Sequence, residues 1–364
     1  MKYDVVIVGG GAAGSVLAGR LAENRNTSVL LLEAGPDYPD PCNLPDEIKF
    51  GHTRFAESPN SKHNWALRGI ITEEQGEVHV AQGKLIGGGS SINGQAMQRG
   101  LPDDFDYWSS LGNHEWAYAE VLPYFKKSEH DLDIEDDYHG DEGPMPVRRR
   151  QSGPWPVIQK AFHEACLDSG FVTTGDTNGP HPSGIGVSPT NNLDGMRMSA
   201  AITHLNPMRH RLNLTVRGEA FVRKVLFKGL KAVGVEVQSG GETFDVEANR
   251  VVISAGAIKS PQLLMLSGIG PKDHLADKRI KLTHDLPGVG QNLRDHPQVT
   301  LVWKVKDSYA HNKSGPRGTT VAIRYTAEGS SLHNDMLIHP MPTVMQKFYF
   351  SGDGEDRYSG VAMT

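Results

Sequence analysis

The chain has 364 residues and carries 37 Lys and Arg against 43 Asp and Glu, a formal net charge of −6, which excludes the basic excess of a nucleic-acid binder. Hydrophobic residues make up 38% and glycines number 41, enough for a sizeable core and, by length, about two domains, so wholesale disorder is excluded. Cys42 and Cys166 stand far apart and in no metal spacing, which excludes a disulfide framework and a structural zinc and makes the reducing cytoplasm the expected compartment.

In chain order, residues 4–8 read as a short buried strand, glycines 9–11 break it, residues 12–24 have helical character, and residues 27–32 form a second apolar strand ending at Glu33. Strand, glycine turn, helix and strand make a βαβ unit, which predicts a parallel sheet. Because Met1-Lys2-Tyr3 leads straight into the first strand, no signal peptide is expected. The N-x-S/T sequons at Asn26 and Asn213 are then expected to go unused. No apolar run approaches the ~18 residues of a membrane helix, so no transmembrane segment is expected.

Residues 36–67 are rich in Pro, Asn, Asp and Gly and lack periodicity, so they read as a long, partly irregular excursion. Residues 129–142 carry eight acidic side chains and are followed by Arg148-Arg149-Arg150. Such a charge run predicts a solvated surface loop, the alternative being a docking patch for a basic partner. Residues 214–225 and 231–237 alternate like antiparallel strands, with Gly229 in the turn between them. Residues 250–254 form another short strand. Ser260-Pro261 has the chemistry to open a helix through Leu266, Ser as N-cap and Pro at the first position. Beyond Pro297 the pattern turns β-like, at 299–305 and 319–325, as the start of a separate sheet.

Gly9-Gly10-Gly11-Ala12-Ala13-Gly14 fits G-x-G-x-x-G directly after a strand. Gly9 permits the tight turn, Gly11 lets the backbone approach a pyrophosphate, and Gly14 lets the helix pack on the sheet. The helix N-terminus offers free N–H groups to phosphate. Glu33, at the end of the second strand, can accept hydrogen bonds from ribose hydroxyls and would repel a 2′-phosphate. The motif indicates a dinucleotide and leaves FAD and NAD open.

A second glycine-rich run, Gly83-Lys84-Leu85-Ile86-Gly87-Gly88-Gly89-Ser90-Ser91-Ile92-Asn93-Gly94, can lay successive N–H groups against an anion or a flat ring. It is not a Walker A loop. Two further landmarks follow, Gly256-Ala257-Ile258-Lys259-Ser260-Pro261-Gln262 and Leu286-Pro287-Gly288-Val289-Gly290-Gln291-Asn292-Leu293-Arg294-Asp295-His296-Pro297. With these four motifs in this order, the chain resembles the glucose–methanol–choline (GMC) oxidoreductase family over residues 4 to about 300.

That resemblance implies an α/β fold: a Rossmann-like FAD-binding domain with a parallel sheet (1–145 and 208–297) and a mixed α+β substrate-binding domain (146–207 and 298–364). It implies FAD rather than NAD, and hydride transfer to the flavin from the CH–OH group of an alcohol, polyol or sugar. Oxygen, a quinone or a carrier would take the electrons. Gly9, Gly11, Ala13 and Gly14 would line the pyrophosphate, and Glu33 with Ala34 would hold the adenosine ribose. Gly83 to Leu85 and Asn93, Gly94, Gln95 and Ala96 would lie along the flavin end, and the backbone of Val222 would meet the adenine. Some members attach FAD through a His just before this Asn; here Ile92 stands there, so non-covalent FAD is expected. Met97 replaces a frequent aromatic residue.

The family's catalytic His and its partner lie in a C-terminal segment that the chain does not match, so no catalytic residue carries over. The chain is expected to be C-terminally truncated, its substrate-binding domain incomplete. The alternatives are an FAD-binding fragment, or half of a split enzyme with a partner chain, without turnover of its own, and a flavin-dependent lyase. Asp295-His296 reads as a structural part of its landmark. No H-E-x-x-H and no G-x-S-x-G occurs, so neither a metal site nor a hydrolase elbow is indicated.

Overall fold

Val5, Val6, Ile7 and Val8 are all buried, as in a parallel strand covered on both faces. They belong to strand Lys2–Val8 (β1), followed by helix Ala12–Ala22 (α1) and strand Val29–Leu32 (β2). A computed structural model describes residues 2–51, 55–74, 76–149, 155–304, 320–341, 344–345, 357–358 and 360–363. The expectations for Arg150, residue 305 and residue 319 lie outside these residues.

Four strands complete the main sheet: Leu214–Arg217 (β3), Phe221–Lys228 (β4), Lys231–Ser239 (β5) and Glu242–Ile253 (β6). The order is β3-β2-β1-β6-β5-β4. Strands β3, β2, β1 and the second half of β6 run parallel, and β4 and β5 add an antiparallel extension. Side chains alternate between the faces. Val6, Val8, Leu30 and Leu32 join Val235, Val237 and Leu263 in one core, while Val5, Ile7, Val29 and Leu31 join Ala18, Ala22 and Leu205 in another. Truncating one of these aliphatic side chains to Ala would destabilise by about 2–5 kcal/mol.

Three expectations about this sheet and the helix that follows it need correction. Residues 214–225 do not form one antiparallel strand. Leu214–Arg217 is the parallel edge beside β2, and the chain turns at Gly218-Glu219, where Glu219 has φ +52°. That turn is fixed by Glu219 N–H donating to the Gly35 carbonyl and Ala220 N–H to the Glu33 carbonyl, each at 2.8 Å. The strand expected at 250–254 is only the end of a twelve-residue strand, Glu242–Ile253, whose earlier part is mostly exposed and buries only Val246 and Ala248. Ser260-Pro261 does not open a helix: helix Gly256–Leu266 (α2) starts earlier and carries Pro261 inside. The turn after β6 sets its start. Ser254 Oγ donates to the Val8 and Gly9 carbonyls, and Gly256 takes φ +83°, overriding the local cap preference.

The Asn213 side chain is spent on structure. Its amide donates to the carbonyls of Ala22, Asn24 and Thr27 at 3.3, 3.0 and 2.8 Å.

The chain divides into two compact units, Met1–Gly94 with Arg197–Asp295, and Gln95–Met196 with His296–Thr364. In the second unit, Gly184–Val187, Val321–Tyr325 and Met336–Ile338 form a three-stranded sheet, and helix Val157–Asp168 packs Phe162 and Cys166 on Ile185, Val321 and Ile323. Leu301–Lys304 pairs in a different sheet from Val321–Tyr325, so the expected single sheet is two. Cys42 and Cys166 are both free thiols, the second buried.

The acidic run is not simply a solvated loop. Glu129 and Asp131 are buried with His139, Arg99 and Arg149. His139 Nδ1 lies 3.1 Å from both Glu129 and Asp131, and its Nε2 lies 2.9 Å from Asp176. Arg149 pairs with Asp131 at 2.6 Å and Asp176 at 2.7 Å, and Arg99 with Glu129. Three carboxylates thus face two guanidiniums and one imidazole, and the charges balance only with His139 protonated. Burial alone would lower the His139 pKa, but hydrogen bonds to Asp131, Asp176 and Glu129 push it up to about 11. Burial opposes ionisation of Asp131 as well; His139 and Arg149 override it and hold the carboxyl far below its ordinary range. The sequence shows the charges without showing that the chain folds them against each other.

Candidate cofactor site

The first unit carries a cavity of about 460 Å³ at the C-terminal ends of β1, β2 and β6, within the ~300–1,000 Å³ usual for ligand sites. Open α/β sheets bind ligands at this edge. Its walls include Gly9, Gly11, Ala13, Glu33, Ala34, Gly83 and Val222.

Each glycine of the first loop answers a different demand. Gly9 has φ +97°, and a Cβ there would stand 2.6 Å from the Ser254 carbonyl oxygen. A Cβ on Gly14 would lie 2.0 Å from the Gly9 carbonyl oxygen, so Gly14 permits the contact of α1 with the turn. Gly11 faces open space instead: its nearest neighbour would be at 3.9 Å. The N-terminus of α1 is free of a side-chain cap and has no acidic residue in its first turn, which leaves N–H groups and the positive dipole end available to an anion.

The second glycine run is built onto the first. Gly87 N–H donates to the Gly10 carbonyl at 2.7 Å, and a Cβ on Gly88 would stand 2.7 Å from Gly11 Cα. Residues Gly88–Ser91 form a single 3-10 turn. Gly83, Gly88 and Gly89 line the cavity. This main-chain contact between distant motifs fits a cradle that wraps a pyrophosphate from two sides.

Glu33 is buried at the end of β2. Its carboxylate accepts from Gly10 N–H at 2.9 Å and Gly35 N–H at 3.0 Å. Burial raises its pKa, and the N–H groups of Gly35, Gly10 and Ala34 partly oppose that. The side chain therefore ties the glycine turn to β2, while its spare lone pairs can still accept from hydroxyl donors.

The other expected residues sit elsewhere. Leu85 is buried with Ile48, Ala56 and Ile92, so its contribution would be through main chain. Asn93 and Ala96 are exposed. Gln95 is buried with φ +68°, belongs to the second unit and accepts from Asn192 Nδ2 at 2.5 Å. Sequence reading missed the wall formed by Trp65, Phe221 and Lys259. Lys259 and Lys84 place their ammonium groups 4.6 and 5.0 Å from the centre of the Trp65 ring. Burial and the neighbouring Lys84 lower the Lys259 pKa. These residues come from three separate segments, and no spacing rule joins them.

The GMC oxidoreductase family model matches residues 3–298. The chain belongs to the GMC oxidoreductase family. Among relatives of this GMC protein, an oxygen-dependent choline dehydrogenase of Sinorhizobium fredii is 41% identical over 306 residues, covering 81% of this chain and 53% of its own. Among solved structures, pyridoxine 4-oxidase from Mesorbium loti superposes with a TM-score of 0.86 at 30% identity, over 99% of this chain and 71% of that one. An FAD-dependent oxidoreductase from Chaetomium thermophilum gives 0.78 at 27% identity, over 89% and 62%. The chain spans 53–59% of the length of the curated relatives it matches. No helix among the described residues is long and apolar enough to cross a membrane.

Proposed function

We propose that the unit Met1–Gly94 with Arg197–Asp295 binds FAD without a covalent bond. The whole protein would use it to oxidise the CH–OH group of a small alcohol. The observation that carries this reading is the joined pair of glycine loops around one cavity, with a free helix N-terminus on one side and Glu33 on the other. The named FAD dependence of a structural neighbour supports the cofactor. Choline and pyridoxine, named in relatives, both carry a primary alcohol, which supports the substrate class. Ile92 supports non-covalent attachment, because the side chain preceding Asn93 is a buried hydrocarbon with no nucleophile.

In this reading, N–H groups at Gly11 to Ala13 neutralise the pyrophosphate, Glu33 receives the ribose hydroxyls, and the main chain near Val222 meets the adenine. When bound, FAD supplies the hydride acceptor. The chain's part is to orient the cofactor and to place main-chain N–H groups of the second loop against it, where they would stabilise negative charge. We assign no base to the alcohol proton. Oxygen, a quinone or a protein carrier are the electron acceptors this class of reaction admits.

The test is anaerobic addition of choline, pyridoxine and a simple aryl alcohol to the FAD-loaded protein, followed by its visible flavin band. Bleaching by at least one alcohol supports the reading. Bound flavin that no alcohol reduces would overturn alcohol oxidation by this chain.

A further inference from the structure

Arg197 is 1% exposed, and its guanidinium is directed at main chain. Nη1 donates to the carbonyls of Glu47, Ile48 and Ser91 at 3.3, 2.5 and 2.7 Å. Nη2 donates to Ile92 at 3.3 Å and Nε to Asn93 at 3.2 Å. Five carbonyls from two separate segments therefore converge on one planar cation. A guanidinium offers five N–H donors in a rigid fork, whereas an ammonium is a point charge with three. A cation buried this deeply requires such partners, so Arg197 and the two segments fix each other's geometry.

Residues 91–93 continue the glycine run that lines the cavity. That run is anchored at its other end by Gly87 on Gly10. Between the anchors, Ile92 and Asn93 N–H groups both bond the Gly89 carbonyl, at 3.2 and 2.9 Å. The loop is held from both ends before any ligand arrives. The adenosine side is held by bonds of its own: the Glu33 carboxylate accepts from the N–H groups of Gly10 and Gly35, and Ala220 N–H donates to the Glu33 carbonyl.

We propose that Arg197 is a positioning residue that presets the main chain of residues 91–93 for the isoalloxazine half of FAD. The proposal rests on the FAD reading above and deepens it. Its signature is selectivity: disturbing Arg197 should loosen the flavin half of the ligand and leave the adenosine half unaffected.

The experiment compares the full chain with Arg197→Lys and Arg197→Gln by calorimetric titration with FAD and, separately, ADP. Hydrogen exchange is measured on the ligand-free proteins. Arg197→Lys should weaken FAD by about tenfold, Arg197→Gln by more, and ADP affinity should stay within about twofold. FAD affinity that is unchanged, or FAD and ADP weakened alike, would overturn positioning, the second result marking a merely structural role. Should the parent bind ADP and not FAD, the positioning claim falls and the dinucleotide cradle stands; should it bind neither, the FAD reading falls first. Wild-type hydrogen exchange keeps the question decidable if the variants do not fold. Amides of residues 90–93 should be protected without ligand, and free exchange there would contradict a preset loop.

Discussion

Replacing Gly11 and Gly14 one at a time separates a glycine the fold demands from one the ligand demands. A Cβ on Gly14 would overlap the Gly9 carbonyl oxygen at 2.0 Å and approach Ser254 Oγ at 2.7 Å. The carbonyl belongs to the turn itself and has no rotamer to escape into. Gly14→Ala must therefore push α1 away from the turn, a change that costs about 1–3 kcal/mol or more. Helix propensity returns only about 1 kcal/mol. Gly11 differs: its φ of −67° and ψ of −165° suit any residue, and a methyl group there meets nothing nearer than 3.9 Å. Gly11→Ala should keep the stability of the ligand-free protein within about 0.5 kcal/mol. It should nevertheless weaken FAD by about tenfold or more, because the methyl occupies the face a pyrophosphate must approach. Urea denaturation without FAD, paired with FAD titration, reads both quantities. Gly14→Ala as stable as the parent, or Gly11→Ala binding FAD unchanged, would refute the division of roles.

Glu33→Gln should lower the stability of the ligand-free protein by about 1–3 kcal/mol and weaken FAD, because a carboxamide can accept from Gly10 or Gly35 but turns an N–H toward the other; denaturation and titration check both. The buried histidines should give pH slopes of opposite sign. His139, its pKa raised to about 11, contributes stability that is complete below its unfolded value of about 6.5. As pH rises toward 11, stability should fall with a slope approaching 1.4 kcal/mol per pH unit, and His139→Gln should abolish that slope in urea melts. Burial, aided by Arg20, lowers the His204 pKa to about 4. Stability should therefore be lost as pH falls from about 6.5 toward that value, and His204→Gln should flatten this limb.

The βαβ unit was legible because its signals are local: an unbroken apolar run, three glycines and a terminal acid lie within residues 4–33. The contact between Gly87 and Gly10 was not legible, since nothing in either motif specifies the other. The same holds for Glu129, Asp131 and His139. A charge run on paper has the appearance of a solvated loop, and only Arg99 from a distant segment, with Arg149 folding back from just beyond the run, makes burial affordable. Strand β6 hid its early part because only Val246 and Ala248 are buried there, between exposed polar residues, whereas its end carries the continuous apolar run Val251–Ile253. Arg197 gave no signal, because its partners are carbonyl groups and every residue has one.

The central claim is that the two glycine loops hold FAD reversibly, and the visible spectrum of the purified protein tests it most directly. Flavin bands in the native protein, whose chromophore passes wholly to the supernatant on acid precipitation, are the predicted result. A protein that stays colourless after incubation with FAD, or one whose flavin remains with the precipitate, would contradict it.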